Sequence, residues 1–360
     1  MVRRGDLQLH LCRIFAGLNV NDAGNEEKPE VIGLMKETKS EYDLSIVISV
    51  YNEEQTLDKF YNAFRRISKG FTWTYELIFV NDGSTDASAD ILTNIALQDK
   101  CVKVIGFSRN FGHEAAMIAG IDYAKGDRII CMDADLQHPL ECVFPIMKKF
   151  DEGYEVINMV RLSNKSAGLV KNITSGLFYK LVNKISDQTH LEENASDFFA
   201  ISSHVADVLR SNYREKVRFL RGYVQNVGFR KTKLEYTAGI RAGGESHYSI
   251  RALMKLCVNT IVSFSDFPLK LGLLAGFLSA VATVVMFICT LCTNGTDAAG
   301  TNTIITVMCL FFTVLFVIIG IIGEYLSVIF AEIKQRPIYI VRETMNMGSE
   351  CRENEEKITK

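Results

Sequence analysis

With 360 residues the chain has room for about two domains. Its 40 basic and 42 acidic residues nearly cancel, so no strong field marks it as a nucleic-acid binder. Mean hydropathy is slightly positive although 23% of the residues are charged, so apolar residues must be concentrated somewhere, and they are near the C-terminus.

The N-terminus starts basic, but His10 and Arg13 break its apolar stretch, which makes a poor signal peptide. Residues 1–42 are expected to be a mobile extension, polar and Gly/Asn/Glu-rich over 19–30. Met35 stands just before the folded pattern as an alternative start, which would leave residues 1–34 untranslated. Nine irregularly spaced cysteines do not form a disulfide framework; Cys101, Cys131 and Cys142 point to a reducing compartment. Cys289 and Cys292 make a lone CxxC in an apolar run, with no second pair or histidine cluster, so packing is expected there.

From Tyr42 onward, strand and helix signals alternate. "LSIVISV" (44–50) is a continuous β-branched run, as a strand buried on both faces requires. "NEEQTLDKFYNAFRRI" (52–67) predicts a helix with acids in its first turn and bases near its end. Strands are predicted at 75–82, 102–108 and 127–133, and helices at 86–98 and 113–124. Such alternation implies a parallel sheet with helices on both faces, a fold that binds ligands beyond the carboxyl ends of its strands. Asn52, Glu53, Asp82, Asp133 and Asp135 all fall at such ends.

Residues 143–245 are mixed and more basic, with Arg161, Lys171, Arg218, Arg221 and Arg241 among them. Apolar residues at three- and four-residue steps in 246–270, from Ile250 to Phe264, predict an amphipathic helix at the membrane interface. Residues 271–292 and 303–323 carry no charge and are each long enough to span a bilayer. Lys270, Lys334, Arg336 and Arg342 flank them, while the linker has no Lys or Arg. The positive-inside rule then puts the large domain and both termini, including the tail 324–360, in the cytoplasm of a multi-pass inner-membrane protein. Glu324, at the inner end of the second span, is as well explained by snorkelling as by function.

The segment "CMDADLQHPLE" (131–141) carries the chemistry. Residues two apart in an extended segment point the same way, so Asp133 and Asp135 are expected to converge on one hard cation. Gln137 continues the parity with an amide oxygen. Mg²⁺ or Mn²⁺ held by so few protein oxygens suits a nucleoside diphosphate that completes the shell.

"SVYNEE", "VNDGSTD", "FSRNFGHEAAMIAG" and "MDADLQHPLE" occur in this order at strand ends. Together they resemble the family-2 inverting glycosyltransferases, which have the GT-A fold, a Rossmann-like, mostly parallel α/β sheet. "SGLFYKLVNKIS", "RAGGESHYS", "SFSDFPLKL" and "GEYLSVIFAEIKQRPIYIV" narrow the likeness. They resemble the membrane-anchored polyprenyl-phosphate glycosyltransferases: the dolichol-phosphate mannose synthase-like enzymes and, more closely, the bactoprenol glucosyltransferases with two C-terminal spans. The resemblance covers about residues 43–342, with the catalytic domain at 43–245.

The resemblance implies roles for individual residues. Tyr51, Glu53 and Asp82 would hold the nucleoside, with Val80 beside the base. Asp133, Asp135 and Gln137 would bind the metal and diphosphate, and Arg161, Lys171 and Ser175 the acceptor phosphate and sugar-phosphate. Arg241, Ser246 and His247 would come from a mobile loop closing over the diphosphate. Asp86 is read as a helix cap rather than a ligand contact, and His113 and His138, with no visible partner, are assigned no chemistry. Four positions depart from the family pattern: Ser49 replaces proline, His113 and His247 replace lysine, and Phe199 takes an arginine position.

The implied reaction is attack by undecaprenyl or another polyprenyl phosphate on the anomeric carbon of a nucleotide sugar, by default UDP-glucose. A phosphate already ionised at neutral pH needs no strong general base, and no separate catalytic carboxylate is evident after the metal motif. The glycolipid product would serve cell-envelope glycan modification, with a flippase and an extracytoplasmic glycosyltransferase as pathway partners; self-association stays open. Two alternatives remain: a non-catalytic membrane scaffold that retains nucleotide-sugar binding, and a processive polysaccharide synthase. The only tryptophan, Trp73, lies in the first half, away from where a synthase's chain-clamping Gln-x-x-Arg-Trp motif belongs.

Overall fold

The computed structural model describes residues 40–162, 195–216, 218–239, 267–292 and 297–348. The expected mobile extension up to residue 39, and the amphipathic helix up to residue 266, lie outside them.

β1 (Tyr42–Val50), α1 (Leu57–Ser68), β2 (Tyr75–Asn81), α2 (Ser88–Gln98), β3 (Val102–Phe107), α3 (His113–Tyr123) and β4 (Gly126–Asp133) follow the predicted alternation. After α4 (Val143–Asp151) come β5 (Val156–Arg161), β6 (Ala195–Ser202), α5 (Ser203–Asn212), α6 (Leu220–Asn226) and β7 (Lys231–Tyr236). Two long helices, α7 (Phe267–Cys292) and α8 (Asp297–Ile333), precede the last strand, β8 (Val341–Met345).

The eight strands form one sheet in the order β7, β5, β6, β4, β1, β2, β3, β8. The β4, β1, β2, β3 core is parallel. β6 runs antiparallel between β4 and β5, and β8 runs antiparallel along the edge of β3. The sheet is therefore mixed. The chain progresses outward from β1 through β2 and β3, then crosses back to place β4 on the other side of β1. This reversal opens a crevice between the carboxyl ends of β1 and β4.

Alternation divides the core into two faces. Ile46, Ile48, Leu77, Phe79, Ile130 and Met132 pack with Phe60 and Phe64 of α1 on one side. Val47, Ile78, Val80, Cys131 and Phe199 pack against the alanine-rich α3 on the other. A Cβ at Gly120 would lie 2.0 Å from Val47 Cγ1, so this helix needs glycine there to reach the sheet. Each fully buried large apolar side chain contributes about 1.5–3 kcal/mol. At the end of the sheet opposite the crevice, Glu76 pairs with Lys103, both almost wholly buried, and accepts the Ser45 hydroxyl at 2.5 Å and the Lys125 N–H at 2.7 Å. Cys131 and Cys142 are free thiols. Cys101 is disulfide-bonded, so the expectation of reduced thiols fails at that position.

Both predicted spans are helical. Among the described residues one stretch, Leu310–Ile333, is long and apolar enough to cross a membrane, with mean hydropathy 2.4 and no burial in the protein. It runs ten residues beyond the expected end of the second span at 323. The chain then returns to the sheet. Glu332 accepts the Lys216 N–H, Tyr339 stacks on Phe107 with ring centroids 5.2 Å apart, and β8 extends β3.

Candidate active site

The acidic loop differs from the extended geometry expected of it. β4 ends at Asp133, and Asp135 sits in the turn that follows. Leu136 has φ 62°, a left-handed conformation uncommon outside glycine. Asp135 is 6% exposed, and its Oδ1 accepts the Gln137 N–H at 3.0 Å. The end of β4 sets the direction of Asp133, and the turn, not strand parity, sets that of Asp135. The Gln137 side chain meets Arg161 Nη1 at 3.4 Å, which brings the β5 arginine onto the loop. Gly239 donates to Gln137 O at 3.0 Å.

These oxygens suit a hard divalent cation. Asp133 is about one-third exposed, and among the described residues no group of three or more His, Cys, Asp or Glu forms a self-sufficient metal cage. A cation here would need further oxygens from its ligand, as a diphosphate-bound Mg²⁺ or Mn²⁺ does.

Two histidines that the sequence left without roles touch this loop. Ser49 and Asp133 are register partners on β1 and β4, so their side chains share the α3 face. The Ser49 hydroxyl donates to Asp133 Oδ1 at 3.1 Å and lies 2.9 Å from His113 Nδ1 at the start of α3. His113 Nε2 is 3.9 Å from Asp197 Oδ2. Burial works to lower the His113 pKa, but Asp133 and Asp197 outweigh it and push it up. His138 accepts the Asp133 N–H at 3.1 Å through Nδ1 and stacks on Phe198 at 4.9 Å. Burial pushes its pKa down, against Asp133 and Asp135.

Asp197 binds Arg221 of α6 at 3.1 and 2.7 Å. Burial works to raise its carboxyl, but Arg221 and His113 hold it down at about 2. Phe199, at the expected arginine position, is 3% exposed in the α3-side core. The cation that pairs with Asp197 is Arg221, on another element. Glu114 is pushed up to about 7 by burial and by Asp197. Strand register would have placed Ser49 beside Asp133, but the Asp197–Arg221 pair depends on how α6 folds back, which no local pattern carries.

On the nucleoside side, Tyr51 is 45% exposed at the end of β1. Asn52, at φ 55°, accepts the Thr85 N–H at 2.8 Å and donates its own N–H to Ser84 at 3.0 Å. Glu53 accepts the Thr56 hydroxyl at 2.6 Å. Asp86 accepts the Ser88 N–H at 3.0 Å and the Glu54 N–H at 3.1 Å; it stands one residue before the Ala87 N-cap of α2, so it is not the cap that was expected. Asp82 is buried, and its two oxygens accept the N–H groups of Phe111 and Gly112 at 2.6 and 2.9 Å. Burial raises its pKa against those bonds. Asp82 thus ties the 109–112 loop over β2. Gly83, at φ 66°, packs so tightly beneath Arg109 that a Cβ would lie 2.4 Å from its carbonyl carbon. Val80 has no exposed surface, so it supports this end of β2 and offers no face to a base. Lys171, Ser175, Arg241, Ser246 and His247 lie outside the described residues.

A Rossmann-like mixed sheet with acidic and basic side chains gathered at its switch point defines a glycosyltransferase of the GT-A type. The chain belongs to glycosyl transferase family 2, whose model matches residues 45–209. It is 40% identical over 303 residues to the glycosyltransferase YkcC of Bacillus subtilis (strain 168), covering 83% of this chain and 93% of that one. It is 34% identical over 305 residues to the SfII prophage-derived bactoprenol glucosyl transferase of Shigella flexneri, covering 84% of this chain and 98% of the relative. Among solved structures, glucosyl-3-phosphoglycerate synthase from Mycobacterium tuberculosis in complex with Mn²⁺, UDP and phosphoglyceric acid aligns with TM-score 0.44 and 17% identity, covering 61% of this chain and 76% of that one.

Proposed function

We propose that this glycosyltransferase moves a hexose, by default glucose, from a uridine diphosphate donor to polyprenyl phosphate at the cytoplasmic face of the cell membrane. The observation that carries this reading is the length of the match to the bactoprenol glucosyl transferase. At 305 residues it cannot be confined to the 266 residues that precede α7, so it includes long apolar helix as well as catalytic sheet. α7 and α8 are read as a two-span hairpin, with the catalytic domain and both termini cytoplasmic.

In the proposed reaction a lipid phosphate oxygen attacks the anomeric carbon from the face opposite the diphosphate. The new carbon–oxygen bond forms as the bond to the diphosphate breaks, with inversion. The phosphate arrives ionised, so no base need take a proton from it. Asp133 and Asp135, with the Gln137 loop, would hold the divalent cation, which when bound offsets the charge of the departing diphosphate. Tyr51 offers an exposed ring for the base, and Asp82 keeps the 109–112 loop closed over that end of the crevice. Arg161, held against Gln137, brings a cation toward the acceptor side. Lys171, Ser175, Arg241, Ser246 and His247 are proposed to complete the phosphate contacts.

The test is purified protein in detergent with Mn²⁺ or Mg²⁺, undecaprenyl phosphate and a panel of nucleotide sugars, products read by mass spectrometry. One donor is expected to yield a lipid-phosphate-linked hexose, absent with Asp135→Asn. Metal-dependent nucleotide binding with no product from any donor would overturn the proposal.

A further inference from the structure

Four side chains from four elements line up along the α3 face of the sheet, at the carboxyl ends of β1 and β4. Ser49 ends β1, Asp133 ends β4, Asp197 lies on neighbouring β6 and His113 opens α3 above them. An ionised Asp133 assigns the hydrogens in this row. The Ser49 hydroxyl has a single proton and gives it to Asp133 at 3.1 Å. Its 2.9 Å contact with His113 therefore needs the imidazole to donate through Nδ1–H. Nε2, on the other side of the ring, faces Asp197 at 3.9 Å, and Arg221 holds that carboxylate in place. Serine and histidine approach the same oxygen of Asp133, Oδ1, at 3.1 and 3.6 Å, so neither consumes the other oxygen.

We propose that Ser49 and His113 are positioning residues for Asp133: they fix its carboxylate in the orientation that binds the cation of the sugar nucleotide, with Asp197 and Arg221 as the buttress. This rests on the reading of Asp133 as a cation ligand. A carboxylate at a strand end is free to rotate and loses that freedom on coordination. A fixed hydrogen bond to one oxygen removes the freedom in advance and aims the other. The nearby Asp135 has a different anchor, the Gln137 N–H, so each ligand of the pair is set by its own partner.

The test is Mn²⁺ binding to the full chain in detergent with UDP present, read from the paramagnetic resonance signal of free Mn²⁺. Ser49→Ala and His113→Leu are expected to weaken Mn²⁺ binding about tenfold or more, the usual effect of losing a ligand's outer partner. They are expected to lower kcat while leaving KM for the lipid phosphate near its original value. Ser49→Thr, which keeps the hydroxyl, and His113→Asn, which keeps a donor near Nδ1, are expected to recover most of the affinity. Wild-type Mn²⁺ affinity in Ser49→Ala, with binding lost in Asp133→Asn, overturns the positioning role alone. Unchanged binding in Asp133→Asn overturns the cation-site reading beneath it.

Discussion

The Tyr339 hydroxyl, beyond the end of α8, donates to Asp122 on α3 at 2.7 Å, and Arg214 holds the same carboxylate at 2.8 Å. The segment returning from the long helix is thus fixed to the helix that carries His113. Removing only the hydroxyl, in Tyr339→Phe, leaves the stacking on Phe107 and the Arg214 pair. It is expected to cost about 1–2 kcal/mol, while Asp122→Ala, which strands two partners, is expected to cost more. Thermal melting of the detergent-solubilised protein measures both, and equal melting temperatures for wild type and Tyr339→Phe would refute the link.

Asp82 gives a sharper test, because both its oxygens are occupied by backbone N–H groups. Asp82→Asn keeps the shape but turns an amide NH₂ toward one of those donors. One buried N–H then loses its acceptor, a loss of about 1–3 kcal/mol. The 109–112 loop is expected to loosen and UDP affinity to fall about tenfold or more. Calorimetric titration with UDP and Mn²⁺ checks this, and unchanged affinity would show that the loop does not shape the nucleoside pocket.

The parallel core was legible because β1 to β4 are short apolar runs separated by helix signals, and each strand can be recognised alone. β6 and β8 were not, since their places depend on pairing across long sequence separations: β8 joins β3 after both long helices have intervened. The site divides the same way. Asp133 and Asp135 announced themselves by spacing at a strand end, although a turn and not extended parity orients Asp135. Ser49 and His113 looked like isolated departures from a family pattern. Their meaning lies in strand register and helix placement, which bring both to Asp133. The pairing of Asp197 with Arg221 is legible only in three dimensions.

Glu114 should make stability depend on pH. Burial first, and Asp197 next, push its carboxyl up to about 7 in the folded protein, from an ordinary value of 4.5. Between these values the folded state binds the proton more tightly than the unfolded state. Its contribution is fully present below pH ~4.5 and is lost as pH rises through ~7. Glu114→Gln, neutral throughout, is expected to flatten this loss and to be the more stable protein at pH 8, on the order of 1–2 kcal/mol after allowance for residual solvent access. Melting temperatures from pH 5 to 8 decide it: parallel curves for the two proteins would refute the buried carboxyl.

Arg161 separates acceptor from donor chemistry. It stands at the end of β5 with Nη1 against Gln137 Oε1 at 3.4 Å, so its guanidinium is held at the acidic loop without an ion pair to either aspartate being required. A cation placed there works mainly on the second anion to arrive, the lipid phosphate. Arg161→Ala is therefore expected to lower kcat/KM for polyprenyl phosphate by about 10²–10³, the usual effect of removing one preorganised donor. UDP affinity should change less than about threefold, because Tyr51 and Asp82 stand just beyond the ends of other strands, β1 and β2. Arg161→Lys keeps the charge but loses the planar fork, so partial recovery is expected. Steady-state kinetics with varied lipid, beside UDP titration of the same preparations, measures both halves. Equal losses in UDP affinity and in lipid kcat/KM would move Arg161 to the donor side and return the acceptor phosphate to Lys171 and Ser175.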